Sequence, residues 1–194
     1  GITNSGKSTL LKNITNAKPE IAEYDFTTKK PEIGTLDYDG IILQVSEIPA
    51  ITKNYLEKEK GPAYMGIVRD SDLIVIVSRD KKDVDLVKKE LDDAGIKFNG
   101  IVLNSEDVKA KEKIWKKLRL VYVYTKSPGK DKDYPPIALR KKSNVRDLAS
   151  KVHRDFIKKF DYARVWGNGA KFDGQRVGLG HILKEKDIVE LHLK

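Results

Sequence analysis

Cysteine is absent from the 194 residues, so no disulfide framework, cysteine nucleophile or thiolate metal site can be built. Histidine is scarce. His153, His181 and His192 lie far apart in the chain, which argues against a zinc centre and for surface or packing roles. No apolar run approaches the ~18 residues of a membrane-spanning helix. With no signal-peptide pattern and no disulfides, the expected compartment is the cytoplasm. What the chain does have is charge. At 35% charged and 39% hydrophobic residues it reads as globular and long enough to bury a real core, which excludes a peptide or a disordered tail.

The net charge of +9 is unevenly placed. Before residue 118 there are 20 Lys and Arg against 20 Asp and Glu; from 118 to the end there are 18 against 9. A neutral part joined to a basic one implies two units with different partners, because clustered Lys and Arg create the field that captures a polyanion. RNA rather than DNA or a membrane is the expected polyanion. A lysine-rich, cysteine-free surface also suits a protein adapted to heat, which would need no such partner.

Residues 1–8, GITNSGKS, satisfy G-x-x-x-x-G-K-[ST], the phosphate-binding loop. In such a loop the backbone N–H groups of Asn4, Ser5, Gly6 and Thr9 turn toward an anion. Gly6 permits the turn, Lys7 reaches the β- and γ-phosphates, and Ser8 ligates Mg²⁺. Leu10, Leu11 and Ile14 in the following segment, residues 9–17, have helical spacing, as the motif requires. A phosphate loop joins a buried strand to its helix, so a strand upstream of Gly1 is expected.

Two short β-prone runs, 33–38 and 41–45, flank Asp39-Gly40, a type I′ hairpin signal. LIVIV at 73–77 reads as a strand covered on both faces. Residues 83–94 space Val84, Val87 and Leu91 as a helix stopped by Gly95. Residues 101–103 form another buried strand, and 108–118 another amphipathic helix through Ile114, Trp115 and Leu118. This alternation predicts a parallel or mixed sheet with helices on both faces.

The basic part parses separately. Residues 121–124 and 137–140 are strands around a polar loop at 128–136. Asn144 is an N-cap with Asp147 at the third helical position, followed by the apolar stripe Val145, Leu148, Val152, Phe156 and Phe160. The opposite helix face carries Arg146, Arg154, Lys158 and Lys159. Strands at 162–166 and 188–193 complete a small sheet, in which Trp166 is expected to pack in the core. The candidate RNA-binding residues are Arg140, Lys141, Lys142, Arg154, Lys158 and Lys159.

The phosphate loop, then Tyr24-Asp25-Phe26-Thr27-Thr28, Gly34 and Ile48-Pro49-Ala50-Ile51, resembles the GTPase domain of the Obg superfamily. Within it, the similarity is to the developmentally regulated GTP-binding proteins. That resemblance implies GTP and Mg²⁺ as ligands, with Thr27 or Thr28 of the first switch, Thr28 by preference, closing over the metal beside Ser8, Glu47 at the second switch, and Ala50 near the γ-phosphate. Asn4 matches the loop asparagine that helps hold K⁺, and Ile51 stands where other GTPases have a catalytic glutamine. The resemblance continues from 118 to 194 through Val123-Tyr124-Thr125-Lys126-Ser127-Pro128-Gly129, Pro136–Arg140, Tyr162–Gly167, Gln175–Gly178 and Asp187-Ile188-Val189. It is to the TGS domain, a ubiquitin-like β-grasp module. The expected architecture is α/β: a reduced P-loop GTPase-like domain at 1–117, with helices on both faces of its sheet, followed by an α+β TGS domain at 118–194. The implied partners are the ribosome or ribosomal RNA and a stabilising partner protein.

Three positions depart from the family pattern. The second switch reads Glu47-Ile48-Pro49-Ala50 instead of Asp-x-Pro-Gly, so the longer Glu47 has to fold back to reach the metal, and Ala50 lacks glycine's freedom. Guanine recognition would rest on Asn104-Ser105-Glu106-Asp107 instead of Asn-Lys-x-Asp. These four polar residues are either a degenerate base loop holding Asn104 and Asp107 to the base, or a segment standing where a later loop should be, or an ordinary turn. One helix remains after Asp107 where the family has another strand, a base loop and a helix. Three functions follow as expectations: a translational GTPase docking through its basic half, a nucleotide-independent ribosome-binding factor with an inactive GTPase domain, or a binder of nucleoside triphosphates generally.

Overall fold

The computed structural model describes residues 1–15, 20–21 and 31–194. Two compact units emerge, one from Gly1–Tyr38 with Ile42–Leu118 and one from Asp39–Ile41 with Arg119–Lys194.

In the first unit, helix α1 (Lys7–Ile14) starts immediately after Gly6, whose φ of 89° only glycine adopts at little cost. Its Leu10, Leu11 and Ile14 are buried, as their spacing requires. Strand β1 (Glu20–Ile21) pairs antiparallel with β2 (Glu32–Tyr38), which forms a hairpin with β3 (Ile41–Glu47). Asp39 and Gly40 both have positive φ, 52° and 92°, the primed turn that matches the twist of the strands. A 3₁₀ turn (Tyr55–Glu57) and α2 (Gly61–Arg69) follow.

Strand β4 (Val75–Val77) runs parallel to β5 (Ile101–Leu103), with α3 (Lys81–Asp93) as the crossover between them. Helix α3 is closed at both ends. The Asp80 carboxylate accepts from the Lys82 N–H at 2.8 Å, and beyond its end Gly95 is left-handed while the Ile96 N–H bonds the Leu91 carbonyl at 2.8 Å. Helix α4 (Ala110–Leu118) buries Ala110, Ile114 and Trp115.

The expected single sheet is divided in two: β1-β2-β3 and β4-β5. Both β3 and β4 are edge strands, and between them runs an apolar groove of about 600 Å³ walled by Leu43 and Val45, by Ile74 and Ile76, and by Leu11 and Ile14. Strand β4 is nonetheless covered on both faces, since Ile76 packs into the core with Val87 and Leu91 and Val77 into the core with Leu10, Ile14 and Ile114. Ile76 and Val77 are buried, whereas Leu73, Ile74 and Val75 are only half-buried at the groove.

The second unit is a five-stranded sheet in the order β7-β6-β10-β8-β9, formed by β6 (Leu120–Lys126), β7 (Ile137–Arg140), β8 (Phe160–Trp166), β9 (Gln175–Val177) and β10 (Ile188–Leu193). The central β6 and β10 are parallel and the other pairs antiparallel. Helix α5 (Val145–Val152) packs on one face, so that Val123, Val145, Leu148, Ala163, Val165 and Val189 are fully buried. Its start is the expected capping box: the Asn144 side chain accepts from Asp147 N at 3.1 Å, and the Asp147 carboxylate accepts from Asn144 N at 2.9 Å. Asp187, also fully buried, is compensated by the N–H groups of Gly169 and Lys184 at 2.8 and 2.7 Å.

Two expectations are corrected here. The helix does not continue from Asn144 through Phe160. It stops at Val152, because His153 is extended (φ −160°, ψ 135°) and its ring nitrogen accepts the Asp155 N–H; a short α6 (Phe156–Lys159) follows, and Phe160 opens β8. The apolar stripe thus ends at Leu148, with Val152 exposed and Phe156 half-buried. Trp166 is not in the core: it alternates with the inward-facing Val165 and lies half-buried on the other side of the sheet. Among the described residues no helix is long and apolar enough to cross a membrane.

Replacing Leu148 by Ala should cost about 2–5 kcal/mol by denaturant unfolding, the range for a buried leucine, and Phe156→Ala much less. Equal losses would restore the continuous helix.

Candidate nucleotide-binding site

The site is built where the loop of residues 1–6 enters α1. Asn4 (φ 59°) and Gly6 (φ 89°) are both left-handed, which reverses the chain tightly ahead of the helix. A Cβ on Gly6 would lie 2.5 Å from the Ser105 Cβ, so glycine is required for contact as well as for conformation. The Ser105 carbonyl is held in turn by the Asn13 side-chain amide at 3.1 Å. The segment after β5 therefore rests directly against the phosphate loop.

Lys7 and Ser8 occupy the first turn of α1. The Lys7 ammonium donates to the Ile2 carbonyl at 2.9 Å, and burial pulls its pKa below the ordinary lysine value against the opposing pull of Glu47. The Ser8 hydroxyl donates to Glu47 Oε1 at 3.0 Å. Glu47, at the end of β3, thus does fold back to the loop. Its pKa is raised, chiefly by burial, while the Ser8 bond and the Lys7 charge act in the other direction. For both groups desolvation outweighs their mutual attraction.

Two oxygens here are buried without a hydrogen-bond partner, Glu47 Oε2 and Ser5 Oγ. Buried polar atoms are rarely left so in a folded protein, and an orphan pair at a phosphate loop points to a ligand. The donor set suits a hard dication, which a serine hydroxyl and a carboxylate can hold together, and the buried lysine and loop amides suit the phosphates. Ser8 and Glu47 are the residues that would hold Mg²⁺. Thr28, the other expected metal ligand, lies outside the described residues, as does the whole stretch from Tyr24 to Thr28.

The remaining site residues are placed as follows. Asn4 and Thr9 are exposed at the loop and the first helical turn, and Ala50 is half-buried between Glu47 and Ile51. Ile51 is buried, and its N–H bonds the Gly1 carbonyl at 3.0 Å, tying the second switch to the loop. Asn104 and Asp107 lie in the Ser105 segment, with Asn104 Oδ1 and both Asp107 carboxylate oxygens engaged. Asn104 Oδ1 accepts the Glu106 N–H at 2.9 Å, and the Asp107 carboxylate takes the Lys109 N–H at 3.1 Å and the Lys113 ammonium at 2.5 Å. Lys113 holds the Asp107 pKa down. Arg140, Lys141 and Lys142 sit at the β7 end and its turn, away in sequence from Arg154, Lys158 and Lys159 around α6; all six are exposed.

One functional contact was not anticipated. Glu90 of α3 is buried and accepts the N–H groups of Asn54 and Tyr55 at 3.1 and 2.8 Å, fixing the segment after the second switch. It occurs next to the apolar Leu91 in a helix otherwise rich in surface charge, so its inward orientation has no signature in the sequence.

A family model described as 50S ribosome-binding GTPase matches residues 1–113. The chain belongs to the 50S ribosome-binding GTPase family. A TGS-domain model matches residues 121–193, so the chain is a DRG-like GTP-binding protein with GTPase and TGS domains, as its resemblance to the Obg superfamily implied. An uncharacterized GTP-binding protein of Methanocaldococcus jannaschii is 26% identical over 301 aligned positions that cover 100% of this chain and 77% of the relative. Developmentally-regulated GTP-binding protein 2 of Homo sapiens is 23% identical over 293 positions, covering 98% and 80%. Both alignments are far longer than the 194 residues available, so these relatives carry internal residues that this GTPase lacks. Among solved structures, the G domain of the T. maritima FeoB iron transporter is 20% identical with a TM-score of 0.44, over 61% of this chain and 92% of that one. A GTP-binding protein from Pyrococcus horikoshii OT3 is 21% identical with a TM-score of 0.38, over 60% of this chain and 43% of that one.

The raised Glu47 pKa gives a pH prediction. A carboxyl favoured in its protonated form by the fold contributes most below its unfolded pKa and loses that contribution as pH rises through its folded pKa. Glu47→Gln, uncharged at every pH, should therefore melt higher than the wild type at neutral pH without nucleotide. The gap should close as pH falls below the ordinary carboxylate range. A gap that is constant with pH would show that Glu47 is not held by burial.

Proposed function

We propose that this protein binds Mg²⁺-GTP at the phosphate loop, senses it through Glu47, and docks through its basic second unit on the ribosome or another RNA in the cytoplasm, acting in translation. The observation that carries this is the Ser8–Glu47 contact at 3.0 Å with the unpartnered Oε2 beside it. It supports a working link between phosphate loop and second switch despite the Asp-to-Glu change. Bound nucleotide would draw Lys7 from the Ile2 carbonyl to the β- and γ-phosphates, and Mg²⁺ would supply charge neutralisation at the leaving phosphate. The side chain of Asn4, exposed at the loop, is the group available to a K⁺ ion. No general base stands in the second switch, so any hydrolysis would rest on positioning and cation electrostatics. A partner protein that stabilises the chain belongs to the same reading.

A second reading, a nucleotide-independent ribosome-binding factor, is favoured by one observation. Asn104 Oδ1 and both Asp107 carboxylate oxygens are already spent on Glu106, Lys109 and Lys113, and Ser105 offers no stem to cover a base. Base selection is thus the weak link, and binding without guanine preference is its intermediate form.

A titration of labelled GTP, competed with ATP and GDP in Mg²⁺ and K⁺, separates these. The expected result is guanine-selective binding that Lys7→Ala reduces at least a hundredfold and that leads to nucleotide-dependent sedimentation with ribosomes. Binding to ribosomes that ignores nucleotide and Lys7→Ala, yet falls steeply with salt, would establish the second reading.

A further inference from the structure

The face of the second unit's sheet opposite α5 carries a pattern that the nucleotide site does not use. Strand pairing aligns its outward side chains into rows. In one, Tyr124 of β6, Ile188 of β10 and Trp166 of β8 lie side by side. In the next, Lys126, Glu190, Arg164 and Arg176 follow one another across β6, β10, β8 and β9. In the third, His192 stands beside Tyr162. A row with three cations is thus flanked on both sides by rows of rings.

Rings and cations on this face are paired. The Lys126 ammonium lies 4.6 Å from the Trp166 ring centroid, the Lys132 ammonium 4.0 Å from that of Tyr124, and the Arg176 guanidinium 3.8 Å from that of Tyr162. His192 stacks on Tyr162 with centroids 4.2 Å apart and an interplanar angle of 11°. The single acid in the cationic row is neutralised: buried Glu190 bonds His192 Nε2 at 2.6 Å and pairs with Lys126 at 3.8 Å. Arg176 also pairs with Asp161 at 3.9 Å, so Lys126, Lys132, Arg164 and Arg176 stand against two acids and the face keeps an excess of positive charge.

We propose that this sheet face is a platform for single-stranded RNA, whose bases stack on Trp166, Tyr162 and Tyr124 while its phosphates meet Lys126, Lys132, Arg164 and Arg176. The inference rests on the RNA-docking reading above and names the surface and the kind of RNA. Long cationic side chains that lie over these half-buried rings can swing onto phosphates, where a charge-assisted hydrogen bond replaces a weak cation–π contact and frees the ring for a base. An acidic protein would satisfy the cations but has no use for the two flanking rows of rings. A paired duplex shows its phosphates but hides the base faces, so the platform favours unpaired RNA. This surface differs from the six basic residues around the β7 turn and α6.

The test uses the full chain, a labelled oligouridine RNA, a duplex RNA of equal length, and fluorescence anisotropy at low salt. The oligouridine should bind more tightly than the duplex. Tyr162→Ala with Trp166→Ala should weaken it about tenfold or more, the size of a lost base stack, and Tyr162→Phe with Trp166→Phe should restore it. In a Trp115→Phe background, which leaves Trp166 as the sole tryptophan, the RNA should quench the emission. Thermal melts of each variant separate loss of binding from loss of fold. Equal affinity for the duplex, indifference to the alanine pair in a folded protein, or competition by polyglutamate equal to that by RNA would overturn the platform. Ribosome binding retained alongside any of those results leaves the docking reading standing, and loss confined to Lys158→Glu with Lys159→Glu would move the site to α6. Absence of binding to both ribosomes and RNA in the wild type would overturn both.

Discussion

The left-handed turn at Gly6 is the constraint on which the first unit's chemistry hangs. It aims the first turn of α1 so that Lys7 and Ser8 face the loop, and it leaves space that Ser105 fills to within contact distance. A side chain there would have to displace the segment after β5 and distort the entry to α1 together. The loop is tied from a second direction by the Ile51 N–H on the Gly1 carbonyl. Phosphate loop, second switch and the Ser105 segment therefore meet at a single point, where a small movement in one is felt by the other two.

The chemistry at that point is set by desolvation. Glu47 and Lys7 both have their ordinary ionisation disfavoured by burial, and the Ser8 bond compensates only one carboxylate oxygen. A glutamate in place of aspartate reaches Ser8 because β3 ends at Glu47 itself, bringing the side chain back over the start of α1. The second carboxylate oxygen is left without a partner, and a dication beside Ser8 is the species that would relieve the cost of burying it.

Much of the fold was legible where local chemistry and tertiary packing agree. Asp39-Gly40, Gly95 and the Asn144–Asp147 pair each dictate one backbone geometry, and each adopts it. The reading failed where an apolar residue could serve two elements. Phe156 and Phe160 continue a helical stripe in the sequence, but His153 breaks the helix, and Phe160 is worth more to the sheet beside β10. The division of the first sheet was not legible at all, since a run such as LIVIV looks the same against a neighbouring strand as at the edge of a groove. At the site, the sequence indicated Ser8 and Glu47 but not their distance, and it could not tell whether Asn104 and Asp107 were at liberty to hold a base. Their turn and capping bonds come from neighbours two residues ahead, the commonest use of such side chains.

Trp166 shows how a sheet separates packing from display. Period-two alternation forces Tyr162, Arg164 and Trp166 to one side and Ala163 and Val165 to the other. The side facing α5 needs small and β-branched residues to close the core, and it has them. On the other side Tyr122 is buried and meets Tyr124 edge-on with centroids 5.9 Å apart, whereas Tyr162 and Trp166 are half-buried. Large half-exposed rings placed under cations contribute little to folding compared with what they could contribute to a ligand with flat faces and negative charge. The same alternation was readable in the sequence as Tyr-x-Arg-x-Trp. The common association of tryptophan with cores hid it, and only the register across β10 and β9 shows that its cations and rings form rows.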